Sequence, residues 1–476
     1  MDQHDYLARD AVGLAALVAA GEVSPGELLD AAIARMEAVN PKINAVILDL
    51  ADQARAAIAA GLPAGPLRGV PYLIKDISTQ MKGVQTLAGS ALMKATPPAA
   101  ADSALVAAYR RAGLVLFGKT NTPEFGLAPV TEPVLFGPSR NPWNLDRTPG
   151  GSSGGAAAAV AAGIVPAAQA SDGGGSIRIP AACCGLFGLK PSRGRVSMAP
   201  AGEGWGGLSV IHAVSRSVRD SAVLLDIACR PQPGDPYFLP PPATPFAQEV
   251  ERDPGRLRIA FNRGTMLTGQ PSSDVSFAVD AAARLCASLG HEVVETPLPL
   301  DFQQAAMAGG VLVAVTIAGL VDTEAERRGR SVTEDELEAL SWVLYQQGRS
   351  HSALDYSRAL QAVHRFGRAM GAFMQDHDVL ITSTLGTLPP PIGHLDTTSH
   401  DRAAYYAAFA AYMPNTQAAN HSGQPAMNVP LAWTDDGLPA GVQFSAATGN
   451  EALLLRLAGQ LEAAAPWAAR RPPALS

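Results

Sequence analysis

Two glycine- and serine-rich segments lie close together in the sequence: residues 150–155 read GGSSGG and residues 171–180 read SDGGGSIRIP. Glycine-rich turns bind phosphate groups in some proteins, and in others they hold a catalytic serine beside oxyanion-binding N–H groups. A Walker loop requires Lys and then Ser or Thr after its last glycine, whereas Ala156 follows here, and GGSSGG does not fit G-x-G-x-x-G. The two segments therefore favour hydrolytic chemistry over nucleotide binding.

Alternating strand and helix patterns surround these segments. Residues 69–77, GVPYLIKDI, indicate a buried strand that ends at Lys75 and Asp76, and residues 164–170 indicate a strand that leads into DGGGS. The alanine-rich residues 156–163 indicate a buried helix immediately after GGSSGG. This alternation predicts an α/β core with parallel strands.

The rest of the chain continues the pattern without a fixed-period repeat. Residues 10–39 indicate two helices, separated at Gly21 and Pro25, with Ser24 as the second N-cap. Further predicted elements are strands at 114–117, 257–261, 291–295 and 379–382 and helices at 105–112 and 275–289. No segment has the composition of a linker, so we expect a single domain over residues 1–476, with a helical substrate-pocket insertion at about 302–378.

The composition excludes several classes of function. The chain has 476 residues, 47% of them hydrophobic, and a formal net charge of −7, so it can bury a large core but has no basic tract for nucleic acid. Its four cysteines show no CxxC spacing, which favours reduced, buried thiols over a zinc site. The polar start MDQHDYLARD and the glycine-broken apolar runs predict neither a signal peptide nor a membrane span. We therefore expect a cytoplasmic protein without a metal, a nucleic-acid partner or a membrane.

Ser176 ends the second glycine run and is the candidate nucleophile. The glycines before it can turn their backbone N–H groups toward one point, as an oxyanion hole requires. A serine hydroxyl also needs a base. The candidates are Lys75, whose burial at a strand end would favour the neutral amine, and His421 in NHSGQP, which ranks lower. The alternative for Lys75 is a structural salt bridge, for example with Asp76.

Several motifs in a fixed order resemble the amidase signature family over most of the chain, most strongly between Lys75 and Ser197. The matching segments are GVPYLIKDI (69–77), FGKTNTPEF (117–125), RNPWNL (140–145), TPGGSSGGAAAAVAAG (148–163), SDGGGSIRIPAACCGLFGLKPSRGRVS (171–197) and GLPAGVQ (437–443). The resemblance implies the amidase signature fold, an α/β fold whose mixed, largely parallel central sheet is covered by helices on both faces. It also implies a hydrolase of carbon–nitrogen (amide) bonds that forms an acyl-enzyme intermediate and uses no cofactor.

The resemblance further implies a Ser–cis-Ser–Lys triad. Lys75 matches the lysine of the family, Ser152 matches the bridging serine that follows a cis peptide bond, and Ser176 matches the nucleophile. Ser153 is expected to support the loop by hydrogen bonds. The implied oxyanion hole consists of the backbone N–H groups of Gly173, Gly174, Gly175 and Ser176. The chain departs from the family at Gly173, where many members carry Thr or Ile, and we expect a looser loop there.

Three further residues beside the nucleophile are expected to be structural. Arg178 could bind a substrate carboxylate, but a salt bridge such as one with Asp172 is the favoured interpretation. Nothing in the sequence around Cys183 and Cys184 would stabilise a thiolate, so we expect both side chains to pack in the core.

The segments beside the triad indicate the chemistry of the substrate. The candidate substrate-binding residues are Phe125, Gly126, Leu127, Trp205 and Val311. Their segments carry few charges, which favours a small, uncharged, partly apolar amide, although simple core packing is the alternative around Val311. The resemblance is nearest to the 6-aminohexanoate cyclic dimer hydrolase and general amidase branch; a carbamate-cleaving urethanase or an aryl acylamidase is the alternative.

Two other functions are disfavoured. The A subunit of glutamyl-tRNA amidotransferase usually has tyrosine where this chain has Arg193. A non-catalytic binding protein on the same fold is expected to have lost one of the three triad residues, and all three are present here. The partner that we expect is a small-molecule amide or carbamate, and a homodimer is the assembly that we consider.

Overall fold

The computed structural model describes residues 1–267, 270–298 and 302–475, and one large β-sheet lies at its centre. Its eleven strands, counted over those residues, are β1 (Val46–Asp49), β2 (Pro71–Lys75), β3 (Val115–Thr120), β4 (Ala167–Asp172), β5 (Phe187–Lys190), β6 (Val210–Ser215), β7 (Arg258–Phe261), β8 (Glu292–Glu295), β9 (Val379–Ser383), β10 (Ala426–Trp433) and β11 (Pro439–Ser445). They are adjacent in the order β1-β3-β2-β4-β6-β5-β10-β11-β9-β7-β8.

Helices make up much of the remaining chain. The α-helices are α1 (Gln3–Ala8), α2 (Ala11–Ala20), α3 (Pro25–Ile43), α4 (Ala51–Ala59), α5 (Ala104–Arg111), α6 (Gly154–Ala161), α7 (Arg178–Cys184), α8 (Val218–Ala228), α9 (Phe246–Glu249), α10 (Ser273–Ser288), α11 (Phe302–Arg328), α12 (Ala339–Ser350), α13 (Ala353–Asp376), α14 (Arg402–Tyr412), α15 (Gln417–Ser422) and α16 (Glu451–Ala464). Short 3₁₀ helices cover Ala91–Ala95, Glu124–Gly126, Glu334–Glu336 and Pro473–Leu475.

The sheet is mixed, which confirms the predicted α/β class, but most of its strand pairs are antiparallel. The pairs β3/β2, β2/β4, β9/β7 and β7/β8 run parallel, and the six other neighbouring pairs run antiparallel. The prediction of a largely parallel sheet is therefore wrong. The cause is the middle of the sheet, where β5, β6, β10 and β11 lie outside the predicted strands. Only residues 434–438 join β10 to β11, so the chain must reverse direction between them.

Most of the elements predicted around the two glycine-rich segments are confirmed. β2 ends at Lys75, and α6 begins within GGSSGG. Ser24 caps α3 through a capping box with Glu27, with Pro25 at the first helical position. The helical segment after residue 302 is present as α11, α12 and α13. All strands lie in one sheet, while the single domain with a pocket insertion stays a prediction.

The parallel pairing of β2 with β4 brings the two halves of the site together. Leu73 lies opposite Ala168, and because the strands run in the same direction, their carboxyl ends meet at the same edge of the sheet. β2 ends there at Lys75 and β4 ends there at Asp172, directly before the second glycine run. All five residues of β2 are buried, so both faces of the sheet are covered at this point.

Helix α11 is long and apolar enough to cross a membrane, by length and composition alone. Its best 18-residue window has a mean hydropathy of 1.9, and 44% of that window is buried inside the protein. The expectation that the longest apolar runs are too short or too broken by glycine to span a bilayer is therefore wrong for α11, by length and composition alone, because the helix continues through Gly309 and Gly310. The helix packs against α12 and α13 inside the protein.

Candidate active site

Lys75 is completely buried at the end of β2, and its contacts are with hydroxyl groups. Its Nζ donates hydrogen bonds to Ser152 Oγ at 2.8 Å and to Ser171 Oγ at 3.0 Å. Burial lowers the pKa of the Lys75 amine to about 7, against the opposing effect of the Asp172 carboxylate. A substantial fraction of this lysine is therefore neutral at physiological pH.

Asp76 does not pair with Lys75, so the salt-bridge alternative is wrong for that pair. The Asp76 carboxylate instead accepts a 2.8 Å ion-pair hydrogen bond from Lys119, and both side chains are nearly inaccessible to solvent. Asp76 also accepts the backbone N–H of Leu87, while Lys119 donates to the Gln85 carbonyl. This pair holds the loop after β2 and keeps the carboxylate away from the Lys75 amine.

The GGSSGG segment places Ser152 against Lys75. The peptide bond between Gly151 and Ser152 is cis, as the sequence resemblance predicts. A Cβ at Gly151 would lie 2.5 Å from the backbone N and O of Val130, so only glycine fits there. Ser153 Oγ donates to the Ser171 carbonyl at 3.2 Å and accepts the Ser171 N–H at 3.3 Å, which confirms its predicted supporting contacts.

Ser176 lies in the loop between β4 and α7, and it borders a large cavity. It makes no side-chain hydrogen bond to another residue within the described ranges, and 8% of its surface is exposed. Its hydroxyl is therefore free to approach a substrate carbonyl. The proton path from Ser176 to Ser152 stays a prediction.

Asp172 and Arg178 support this loop from inside the protein. The Asp172 carboxylate accepts the N–H groups of Gly175 at 2.8 Å and Ile177 at 3.1 Å, and it pairs with the Arg178 guanidinium through two hydrogen bonds of 3.0 and 2.9 Å. Burial alone would raise the pKa of Asp172, but the Arg178 charge and the hydrogen bonds bring it down to about 2. The structural interpretation of Arg178 is confirmed, because its side chain is fully buried in the ion pair with Asp172 and is not among the residues that line the cavity beside Ser176.

The predicted oxyanion hole needs one correction. The Gly175 N–H donates to Asp172, so it is already used within the protein. The N–H groups of Gly173, Gly174 and Ser176 make no hydrogen bond to another described residue. We therefore retain these three as the candidate oxyanion donors, and assign Gly175 to holding the loop.

The cavity beside Ser176 has a volume of about 770 Å³. Four of the five predicted substrate-binding residues line it: Gly126, Leu127, Trp205 and Val311. The fifth, Phe125, is not among the residues that line this cavity, so its assignment to substrate binding is wrong. Its backbone adopts a left-handed conformation with φ of 50°, and its ring is buried in an apolar cluster with Ile317, Val321 and Leu337. The chain turns at this residue, so the ring packs into the core rather than into the cavity.

Part of the cavity wall comes from segments outside the predicted pocket insertion at about 302–378. These are α14, the residue after it and α15, which contribute Tyr405, Tyr406, Phe409, Met413, Gln417 and His421. The aromatic residues of α14 recur at helical spacing, a pattern that core packing produces equally well. Ser171, the second hydrogen-bond partner of Lys75, is also absent from the predicted site. It begins the SDGGGS segment, but nothing in that motif indicates a hydrogen bond with Lys75.

The described part of the cavity wall carries no Asp, Glu, Lys or Arg side chain. Its histidines are His351 and His421. His421 has its Nδ1 2.7 Å from the Gln417 carbonyl oxygen, and its ring lies edge-on to Phe302 and Phe366. Burial lowers the pKa of His421 to about 4, so this side chain is neutral at pH 7. The cysteines at 183 and 184 are buried free thiols, as expected.

Comparison with known proteins identifies the family. The family model for Amidase matches residues 27–455. The chain belongs to the amidase signature family. It is 39% identical to the 6-aminohexanoate-cyclic-dimer hydrolase of Paenarthrobacter ureafaciens, and the alignment covers 98% of this chain and 97% of that protein.

Solved structures of this family agree. A 6-aminohexanoate cyclic dimer hydrolase matches with a TM-score of 0.94 at 38% identity, covering 99% of both chains. A bacterial aryl acylamidase of the amidase signature family matches with a TM-score of 0.86 at 26% identity, covering 96% of both chains. The predicted family, fold and enzyme class are therefore confirmed: the chain is a hydrolase of amide bonds.

Replacing Arg178 by Gln should destabilise the protein strongly. The variant leaves the buried Asp172 carboxylate without its charge partner, which costs about 3–5 kcal/mol in comparable sites. Arg55→Gln is the matched control, because Arg55 and Asp30 form an exposed pair and its loss should cost at most about 1 kcal/mol. Chemical denaturation of both variants measures the difference. Equal stabilities would contradict a supporting role for the Arg178–Asp172 pair.

Proposed function

We propose that this amidase cleaves uncharged, partly apolar amides through an acyl-enzyme on Ser176, with Lys75 as the base and Ser152 as the proton relay. The observation that carries the proposal is the buried Lys75 amine, which lies 2.8 Å from Ser152 Oγ and has no ion-pair partner among the described residues. A neutral amine in this position can accept a proton, which an ammonium group cannot.

The proposed reaction proceeds in two halves. Lys75 takes the proton of Ser152 while Ser152 takes that of Ser176, and Ser176 Oγ attacks the amide carbonyl carbon. The N–H groups of Gly173, Gly174 and Ser176 stabilise the resulting oxyanion. The proton returns through Ser152 to the amide nitrogen, the carbon–nitrogen bond breaks, and the amine leaves. A water molecule then attacks the ester carbonyl carbon while its proton passes through Ser152 to Lys75. The bond between this carbon and Ser176 Oγ breaks, the proton returns through Ser152 to Ser176 Oγ, and the carboxylic acid is released.

The uncharged cavity supports the substrate class. Moving a charged ammonium or carboxylate end from water into an apolar site without a partner costs several kcal/mol per ion. A cyclic amide has no charged ends, so it avoids that cost, whereas a linear amino-acid oligomer does not. The relative that is 39% identical is named a cyclic-dimer hydrolase, which is consistent with an uncharged amide substrate. Aryl amides are the second candidate, because Trp205, Tyr406 and Phe409 offer aromatic surfaces in the cavity wall.

A substrate panel tests the class directly. We expect the highest kcat/KM with cyclic lactam dimers or end-blocked aliphatic amides, and lower values with anilides and carbamates. A linear dimer with free ammonium and carboxylate ends should react at least about tenfold more slowly than its cyclic counterpart because its charges must be desolvated. Preference for the linear, doubly charged dimer would contradict the proposed class.

Replacing Ser176 by Ala should lower kcat by on the order of a thousandfold or more, because the attacking oxygen is removed. The same change should prevent covalent labelling by a fluorophosphonate, read out by mass spectrometry of the intact protein and its peptides. Ser152→Ala keeps the nucleophile, so it should still form the Ser176 adduct, more slowly. A labelled Ser176→Ala protein with near wild-type activity would eliminate Ser176 as the nucleophile.

The pH dependence of kcat/KM tests the base. Lys75 must be neutral to act, and burial lowers its pKa to about 7, so the rate should rise with pH through a midpoint near 7. Lys75→Ala should remove this limb and most of the rate. The rival base, His421, has a pKa of about 4, which would place the midpoint near pH 4 instead. A limb near 4 that survives Lys75→Ala would transfer the role to His421.

A further inference from the structure

The space beside Gly173 is occupied by an aromatic ring. A Cβ built at Gly173 would lie 2.5 Å from Trp205 Cε3, 2.6 Å from Cζ3 and 2.7 Å from Ser209 Oγ. Atoms at these distances overlap, so no side chain fits at residue 173 while the indole keeps its place. The expectation of a looser loop at Gly173 is therefore wrong, because the indole packs directly against it.

The sheet register explains why these two residues meet. β4 and β6 are antiparallel, with Asp172 opposite Val210. Residue 173 leaves the end of β4 at the point where the chain enters β6, so the turn that precedes β6 lies beside it. That turn carries Trp205, which lines the same cavity as Ser176.

The turn that carries Trp205 is fixed on several sides. Trp205 has a φ of 55° and is followed by Gly206 and Gly207, whose φ values are 63° and 84°. The Arg193 guanidinium donates to the Gly207 carbonyl and to the Asn420 carbonyl at 2.7 Å, which joins the turn to α15. The indole therefore borders the cavity from a turn that is tied to its surroundings.

Building on the proposed amidase function, we propose that Gly173 and Trp205 form a matched pair that sets the width of the cavity beside the scissile carbonyl. Gly173 provides both an oxyanion N–H and the space for the indole, and Trp205 fills that space up to the substrate. The pair selects amides whose carbonyl carbon bears a narrow, unbranched chain, because a branch at the adjacent carbon would collide with the indole.

A double-mutant cycle tests the pair. Gly173→Ala alone should reduce kcat/KM for a linear amide by about tenfold to a hundredfold, because the added methyl group overpacks the indole. In the Trp205→Ala background only Ser209 Oγ stays close to the methyl group, and a change of the Ser209 rotamer relieves that contact, so Gly173→Ala should then cost about twofold or less. Thermal unfolding of the four proteins should show the same non-additivity, without reference to any substrate.

Selectivity provides the second measurement. Trp205→Ala should raise the ratio of kcat/KM for isobutyramide to that for butyramide by about tenfold, because the branch gains the space of the indole. Trp342→Ala is the control: Trp342 is half-buried and lies outside the cavity wall, so the variant can lose stability but should leave the ratio unchanged. A merely structural role of Trp205 would likewise leave the ratio unchanged.

The outcomes separate the two proposals. If the wild-type protein is active, additive effects of Gly173→Ala and Trp205→Ala would contradict the proposed matched pair. An unchanged ratio of isobutyramide to butyramide hydrolysis in Trp205→Ala would contradict it as well. Failure of the wild-type protein to hydrolyse any amide, including these two, would overturn the proposed function. The unfolding cycle would still show in that case whether Gly173 and Trp205 are coupled.

Discussion

The Lys75 amine is fully buried in a strand whose five residues are all inaccessible, and it meets two serine hydroxyls rather than a carboxylate. Burial destabilises the charged ammonium form of Lys75. A carboxylate beside the amine would stabilise that form again, so the fold must keep carboxylates from pairing with it. The rest of the site follows from this requirement. Ser152 is held against the amine, and the parallel pairing of β2 with β4 brings the nucleophile loop to the same edge of the sheet.

The nearby carboxylates are consistent with that requirement, because each has its own cation. Asp76, the residue directly after Lys75, pairs with Lys119, and Asp172 pairs with Arg178. Both pairs are buried, so their charges compensate each other at short range and perturb Lys75 less than free carboxylates would. They also hold the two loops that border the site. Structural ion pairs therefore serve the electrostatics of the lysine as well as the positions of the loops.

The local part of the site could be predicted from the sequence, and the distant part could not. GGSSGG and SDGGGS carry Ser152 and Ser176 in short motifs, and β2 was recognisable as a buried apolar run. The pairing of β5 with β10 and the approach of α14 to the nucleophile loop join segments more than 200 residues apart, for which periodicity holds no information. Phe125 shows the same limit at a single residue. Its ring lies in the core and its φ is left-handed, and the amino-acid composition of the segment predicts neither feature.

The close approach of residue 173 to residue 205 also constrains how this sequence can evolve. Any side chain larger than hydrogen at position 173 overlaps the indole of Trp205. A substitution of Gly173 that occurs while Trp205 is present therefore produces a steric clash. Loss of the indole arising first removes that obstacle and leaves a viable glycine behind. In this sequence, a larger residue at position 173 is therefore better tolerated after the indole at position 205 is lost than before.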